Sequence, residues 1–262
     1  MPTSTETASV TPIRVARTAA AAPVLASIGV TDPTELLGSA LGDVVRETPL
    51  RRTGRIQLTG GGQAYLKTYA PGAGRAGKVA GRRAPAEAEW RALCRLQDAG
   101  FQVPGGLCAA WSDRGDRAPS FVLLAGVAAE RLDDELGRAG GEAAEQWLVH
   151  VFAGWVRRFH DLAFQHRDLY ACHVLVEPGW TAPPTLIDLA RVRHGRRLST
   201  RRRVKDLAAL CYSLRGLLRR SLLLRLYLVY LDRPGLDRAG RRLLGRVLRK
   251  ARRIAHHVPV YG

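Results

Sequence analysis

The stretch His166-Arg167-Asp168-Leu169-Tyr170-Ala171-Cys172-His173-Val174-Leu175-Val176 decides how the rest of the chain is read. It opens on a histidine–arginine–aspartate triplet and closes on an apolar run with strand character. After a turn comes a second apolar run, Leu186-Ile187-Asp188-Leu189, whose aspartate lies twenty residues beyond Asp168. The triplet alone is weak, because three residues recur by chance. Triplet, strand, turn, strand and second aspartate in that order are far more specific.

That order is the layout of the phosphotransfer centre in protein-kinase-like folds. There, one aspartate positions the acceptor hydroxyl and a second, past the next strand, holds magnesium. Asp168 is thus the candidate base. Transfer through a loose transition state asks little basicity of it, only a carboxylate within hydrogen-bond reach of the hydroxyl. Asp188 is the candidate magnesium ligand, since an aspartate ending a buried strand is costly unless a cation or hydrogen bonds offset its charge. His173 stands where protein kinases place a metal-binding asparagine. Magnesium prefers oxygen ligands, so His173 has four readings: a weak metal ligand, a donor to phosphate, a support for Asp168, or a structural histidine.

Upstream, Thr53–Leu58 and Ala64–Tyr69 read as a hairpin around Thr59-Gly60-Gly61-Gly62-Gln63. Gly60, Gly61 and Gly62 let the backbone approach a phosphate and leave N–H groups to bond it. Lys67, mid-strand after that turn, is placed as the lysine that contacts the phosphates of ATP in kinase-like folds. A helix is expected from Pro85 to Ala99, opened by proline and stopped by Gly100. Glu89 or Glu87 on it would pair with Lys67, and Glu89 is preferred. Strands are expected over Gly105–Trp111 and Ser120–Ala125, with a hinge at Ala125-Gly126-Val127. A long amphipathic helix over Glu142–Ala163 presents Trp147, Val151, Trp155, Phe159 and Leu162 to a core. Further helices are expected over Val204–Leu218, Leu222–Leu231 and Asp237–His256.

Residues 1–30 are rich in Ala, Thr, Ser and Pro without a sustained period, and residues 1–45 are read as a flexible leader. A short helix over Thr34–Leu41, capped near Asp32 or Thr34, is expected within it. The division that follows is a β-rich N-lobe with one main helix over 46–125 and a mostly helical C-lobe over 126–262, an α+β, two-lobe, protein-kinase-like fold.

Charge is one-sided. Residues 1–190 carry 20 Lys+Arg and 20 Asp+Glu, whereas residues 191–262 carry 21 against 3, so the formal excess of +18 lies in the last quarter. Such a block points to an anionic partner: phosphorylated lipid, membrane surface or nucleic acid. No apolar run reaches the roughly 18–20 residues that cross a membrane. The four cysteines, Cys94, Cys108, Cys172 and Cys211, lie far apart and read as free thiols of a reducing compartment. After Asp188 the basic segment is short and no A-P-E follows. There is little room for a peptide-docking activation segment, which favours a small or glycan hydroxyl as acceptor.

The block His166–Leu175 resembles the H-R-D-x-Y-x-C-H-x-L pattern of the bacterial lipopolysaccharide core kinases, the heptose and Kdo kinase family. His173 is typical there. Ile187-Asp188-Leu189-Ala190-Arg191 is similar to that family's I-D-L-x-R, Arg203-Val204-Lys205-Asp206-Leu207-Ala208-Ala209-Leu210 to its R-x-K-D-L-x-x-L, and the helix from Glu89-Trp90 to its E-W-x-x-L. The resemblance covers roughly Leu50–Tyr230. It implies ATP and Mg2+, a lipopolysaccharide-type glycolipid acceptor, and a cytoplasmic protein in peripheral contact with the anionic inner membrane; nucleic acid is disfavoured. Two alternatives stand beside it. One is a kinase for another small hydroxyl compound or a protein. The other is a non-catalytic kinase-like protein that binds anionic membrane or nucleic acid through residues 191–262.

Overall fold

The computed structural model describes residues 12–73 and 83–256. They divide into two compact units. The first holds the described residues up to Trp90 together with Gly105–Gly126, and the second holds Arg91–Pro104 and the described residues from Val127 onward.

The first unit is built on a six-stranded antiparallel sheet. Its strands are β1 (Ile13–Arg17), β2 (Asp43–Thr48), β3 (Arg51–Gln57), β4 (Gln63–Tyr69), β5 (Gly106–Ser112) and β6 (Ser120–Ala125), in the order β1-β5-β6-β4-β3-β2. The expected hairpin is β3–β4, with Lys67 opposite Thr53 in β3 and Val122 in β6. Lys67 therefore lies inside the sheet, flanked by strands on both sides.

The leader expectation is corrected for residues 12–45. β1 pairs with β5 from Ile13↔Ser112 to Arg17↔Cys108. A short helix, α1 (Ala21–Ser27), and a single helical turn, Pro33–Leu36, follow. The turn stands where a helix to Leu41 was expected, and it is closed by a capping box between Asp32 and Glu35. The reason is the sheet itself. Alternation sends Ala64 and Leu66 to one face and Lys67 and Tyr69 to the other. The first face must be covered, and Ala21, Leu25 and Leu36 cover it, packing with Ile56, Leu66, Phe121 and Leu123. Burying each leucine contributes about 1.5–3 kcal/mol. Residues 1–11 of that expectation lie outside the described residues.

Helix α2 (Pro85–Asp98) begins in the first unit and ends in the second. Arg91–Pro104, expected in the N-lobe, belong to the second unit because Phe101 packs there against Trp155, Phe159 and Phe164, at centroid distances of 5.4, 5.5 and 5.9 Å.

The second unit contains β7 (Glu130–Arg131), α3 (Leu132–Ala139), α4 (Glu142–Trp147), α5 (Ala153–Asp161), β8 (Phe164–Gln165), β9 (Val174–Val176), β10 (Thr185–Leu186), β11 (Arg193–His194), α6 (Thr200–Leu214), α7 (Arg220–Leu231) and α8 (Arg238–Ala255). The single helix expected over Glu142–Ala163 carries a π-helical stretch at Leu148–Phe152, between α4 and α5. Widening of the turn shifts the phase of the buried face. Phe152 joins Trp147, Trp155 and Phe159 in the core, while Leu162 is left 41% exposed. Among the described residues no helix is long and apolar enough to cross a membrane.

Candidate active site

In the first unit the three turn glycines, Gly60, Gly61 and Gly62, all have positive φ (96°, 96° and 85°), with open space where a side chain would stand. Only glycine adopts such a run without strain. Beyond the turn, Lys67 reaches α2 and bonds the carboxylate of Glu89 through Oε1. Tyr69, two residues on and on the same face, donates its hydroxyl to Oε2 at 2.7 Å. Glu89 is fully buried. A buried carboxylate is sustained only by partners of this kind. Of the two glutamates considered, Glu89 meets Lys67, while Glu87 lies 4.0 Å from Arg83. Tyr69 was not anticipated, although its alternation with Lys67 was legible in the strand.

In the second unit β8 delivers the chain to the His166–Asp168 loop, and β9 and β10 bring His173 and Asp188 beside it. The loop is held by Asp206 near the start of α6. Asp206 is fully buried, and its carboxylate accepts the backbone N–H groups of His166 at 2.7 Å and Arg167 at 2.8 Å. Arg167 has φ +76°, a conformation a non-glycine residue keeps only when its surroundings hold it. His160 approaches the same carboxylate at 3.4 Å and bonds the Tyr230 hydroxyl at 2.9 Å, and Arg203 donates to that hydroxyl at 3.0 Å.

Asp168 is flanked by cations. Arg191 Nη1 lies 2.5 Å from Oδ2 and Lys205 Nζ 3.8 Å from Oδ1. Neither had been assigned a role, though both sit in motifs already noted, Ile187–Arg191 and Arg203–Leu210. His173 Nδ1 donates to the Asp168 carbonyl at 2.7 Å. Its Nε2 faces Asp188 Oδ2 at 3.8 Å. Burial opposes a charge on His173, but bonding to Cys172, the charges of Cys172 and Asp188, and the Asp168 carbonyl outweigh it, and its pKa is raised. His166 is the opposite case. It donates Nε2–H to the Ile187 carbonyl at 2.9 Å. Burial first, then the neighbouring His173, lowers its pKa. Asp188 has left-handed backbone, φ 57° and ψ 59°.

Among the described residues no three His, Cys, Asp or Glu side chains converge into a cation cage. Magnesium needs none, because it is usually held by one or two carboxylates, water and the phosphates of a substrate. With Nδ1–H committed to a carbonyl, neutral His173 turns a lone pair toward the Asp188 carboxylate. Those two groups repel unless a proton or a cation stands between them. Asp188, with His173 beside it, therefore fits a magnesium site completed by nucleotide phosphates.

The sequence model of the lipopolysaccharide kinase (Kdo/WaaP) family matches residues 38–226. The chain belongs to that family. It is 31% identical over 255 residues to the lipopolysaccharide core heptose(I) kinase WaaP of Pseudomonas aeruginosa, covering 88% of this chain and 93% of that one. It is 27% identical over 201 residues to the WaaP of Escherichia coli, covering 70% and 74%. Among solved structures, WaaP in complex with acyl carrier protein superposes with a TM-score of 0.72 at 27% identity, over 92% of this chain and 99% of that one. As a member of the Kdo/WaaP family the chain is an ATP-dependent kinase, and a β-sheet unit followed by a helical one is the fold expected of it.

Proposed function

We propose that the chain transfers the γ-phosphate of ATP to a sugar hydroxyl of the lipopolysaccharide inner core, on a heptose or Kdo residue. The observation that carries this reading is Asp168: a partly exposed carboxylate on a loop pinned by Asp206 and flanked by Arg191 and Lys205. The names of the relatives supply the acceptor class.

In this reading Lys67, oriented by Glu89, contacts the nucleotide phosphates, with the Gly60–Gly62 turn over them. The acceptor hydroxyl donates a hydrogen bond to Asp168. As its oxygen bonds the γ-phosphorus, the bond from phosphorus to the bridging oxygen breaks, ADP departs, and the hydroxyl proton passes to Asp168. Asp188, with His173, would hold magnesium, which would neutralise charge on the phosphates. Arg191 and Lys205 keep the Asp168 carboxylate in place between turnovers.

The excess of cations in residues 191–262 suits a phosphate-rich glycolipid and peripheral contact with the cytoplasmic face of an anionic membrane. The relative solved with acyl carrier protein supports the same partner here. An apolar cavity of about 830 Å³ among α5, α6, α7 and α8, lined by Leu210, Leu214, Tyr227 and Val247, has the lining an acyl chain requires. Co-elution of the chain with acylated but not unacylated carrier protein would support that partner, and equal elution would count against it.

The acceptor is tested by incubating the chain with Mg-ATP and lipopolysaccharide that lacks core phosphate, then fragmenting the product by mass spectrometry. One phosphate gained on an inner-core sugar is expected. Phosphate found only on another compound would refute the acceptor assignment.

A further inference from the structure

We propose that a basic cavity beside the catalytic loop is a subsite for an anionic group, phosphate or carboxylate, carried by the acceptor near the hydroxyl to be modified. The proposal rests on the acceptor reading above and adds to it a substrate feature.

The cavity measures about 380 Å³ and is walled by Arg167, Tyr170, Lys205, Lys250 and Arg253, with no carboxylate in its lining. Its volume suits one sugar ring and its substituent, and is too small for a stretch of nucleic acid. The four cations come from three places. Arg167 precedes Asp168, Lys205 precedes Asp206, and Lys250 and Arg253 lie on α8. On that helix Lys250, Arg253 and Ile254 recur at i, i+3 and i+4, so they share one face. Buried Val247 and Ala251 anchor the helix beside them.

Some cations of this unit have acidic partners, such as Arg157 with Asp232, Arg203 with Asp161, Arg219 with Glu145 and Arg233 with Asp237; what sets the cavity apart is that its cations converge on one space. Among the described residues no carboxylate pairs with Arg167, Lys250 or Arg253. Converging cations repel one another, and such an arrangement is stabilised by an anion. Burial, and then Arg191 and Arg193, lower the pKa of Arg167 against the pull of Asp168 and Asp206. Burial likewise lowers that of Lys205, against the pull of Asp168 and with the push of Arg191 and Arg167.

The location specifies what the anion does. Lys205 Nζ reaches Asp168 Oδ1 at 3.8 Å, so the cavity borders the base. The backbone of Arg167 is fixed by Asp206 at 2.8 Å, which sets one wall at a constant distance from Asp168. Guanidinium groups bond carboxylate and phosphate in a forked geometry. An anionic substituent seated there would orient its glycan and bring the hydroxyl to Asp168, binding energy at a non-reacting group serving position. Lys250 and Arg253 are specificity residues in this account.

The test compares two double variants of the full chain that each remove two charges from exposed positions of α8: Lys250→Ala/Arg253→Ala, inside the cavity, and Arg242→Ala/Arg246→Ala, outside it. The probe is inorganic phosphate, titrated calorimetrically without nucleotide. The cavity variant is expected to bind phosphate about tenfold more weakly than the native chain, and the control like it. Lys250→Arg/Arg253→Lys, which keeps both charges, should restore binding. With lipopolysaccharide as acceptor, the cavity variant should raise KM for the acceptor about tenfold and leave KM for ATP unchanged. Equal phosphate binding by native and cavity variants, equal loss in both double variants, or an unchanged acceptor KM would overturn the proposal. Cavity-dependent phosphate binding in a chain that leaves lipopolysaccharide unmodified would strike the acceptor reading and leave the anion site standing.

Discussion

The carboxylate of Asp206 accepts the backbone N–H of Arg167 at 2.8 Å, and with it the N–H of His166 at 2.7 Å, so one buried side chain on α6 sets the shape of the His166–Asp168 loop. Removing it by Asp206→Ala leaves the buried N–H of His166 and the half-buried N–H of Arg167 without partners, at up to about 1–3 kcal/mol each. The variant should unfold at lower urea concentration by about 2–4 kcal/mol and lose most of its turnover. Native stability and native kcat in Asp206→Ala would show that the loop keeps its shape without the carboxylate.

Lys67, Glu89 and Tyr69 form a second buried unit. Glu89→Gln leaves the Lys67 ammonium without its carboxylate inside the sheet, and about 3 kcal/mol of stability should be lost. Tyr69→Phe removes only the hydroxyl that bonds Glu89 Oε2 and should cost about 1–3 kcal/mol. In Lys67→Met the affinity for ATP should fall at least tenfold. Chemical denaturation and nucleotide titration of the three variants check the ordering, and a Lys67→Met chain that binds ATP like the native one would remove the lysine from the nucleotide site.

His166 and His173 should titrate on opposite sides of an ordinary histidine. Burial lowers His166, so below about pH 6.5 the unfolded chain takes up a proton that the folded chain refuses. Its contribution to stability is present above that pH and is lost as pH falls. His173 is raised, so its contribution is present below about pH 6.5 and is lost as pH rises through its folded-state value. Nitrogen-labelled histidine spectra recorded from pH 5 to 8 should show His166 still neutral where His173 is charged. The reverse order would contradict the burial of His166 and the set of acceptors around His173.

Leu25 and Leu36, in a stretch whose composition resembles a leader, lie in the core of the first unit, 6% and 1% exposed. Either leucine replaced by alanine should destabilise the chain by about 2–5 kcal/mol. An unchanged denaturation midpoint would restore the leader description.

The features legible in the sequence were those with local causes. The β3–β4 hairpin follows from its alternation and glycine turn, α2 from its proline and glycine limits, and the Asp168, His173 and Asp188 positions from the order of loop and strands. What escaped depended on distant partners. β1 is an edge strand with Ile13 and Val15 exposed, so it lacks the buried alternation that marks a strand. Asp206 reads as an ordinary acidic residue in a first helical turn until the loop it holds, some forty residues earlier, folds against it. Arg191 and Lys205 meet Asp168 by the same long-range closure. The π-helical stretch at Leu148–Phe152 left no signal, because a helical period on either side of it looks unbroken.

The central claim is that Asp168 positions the acceptor hydroxyl. The most direct measurement is transfer of labelled γ-phosphate from Mg-ATP to lipopolysaccharide lacking core phosphate, with the native chain and Asp168→Asn run in parallel and ATP binding measured on both. The account predicts label in the glycolipid with the native chain, its loss by a factor of at least about 10² with Asp168→Asn, and ATP binding alike in the two. Label transferred at the native rate by Asp168→Asn would contradict it.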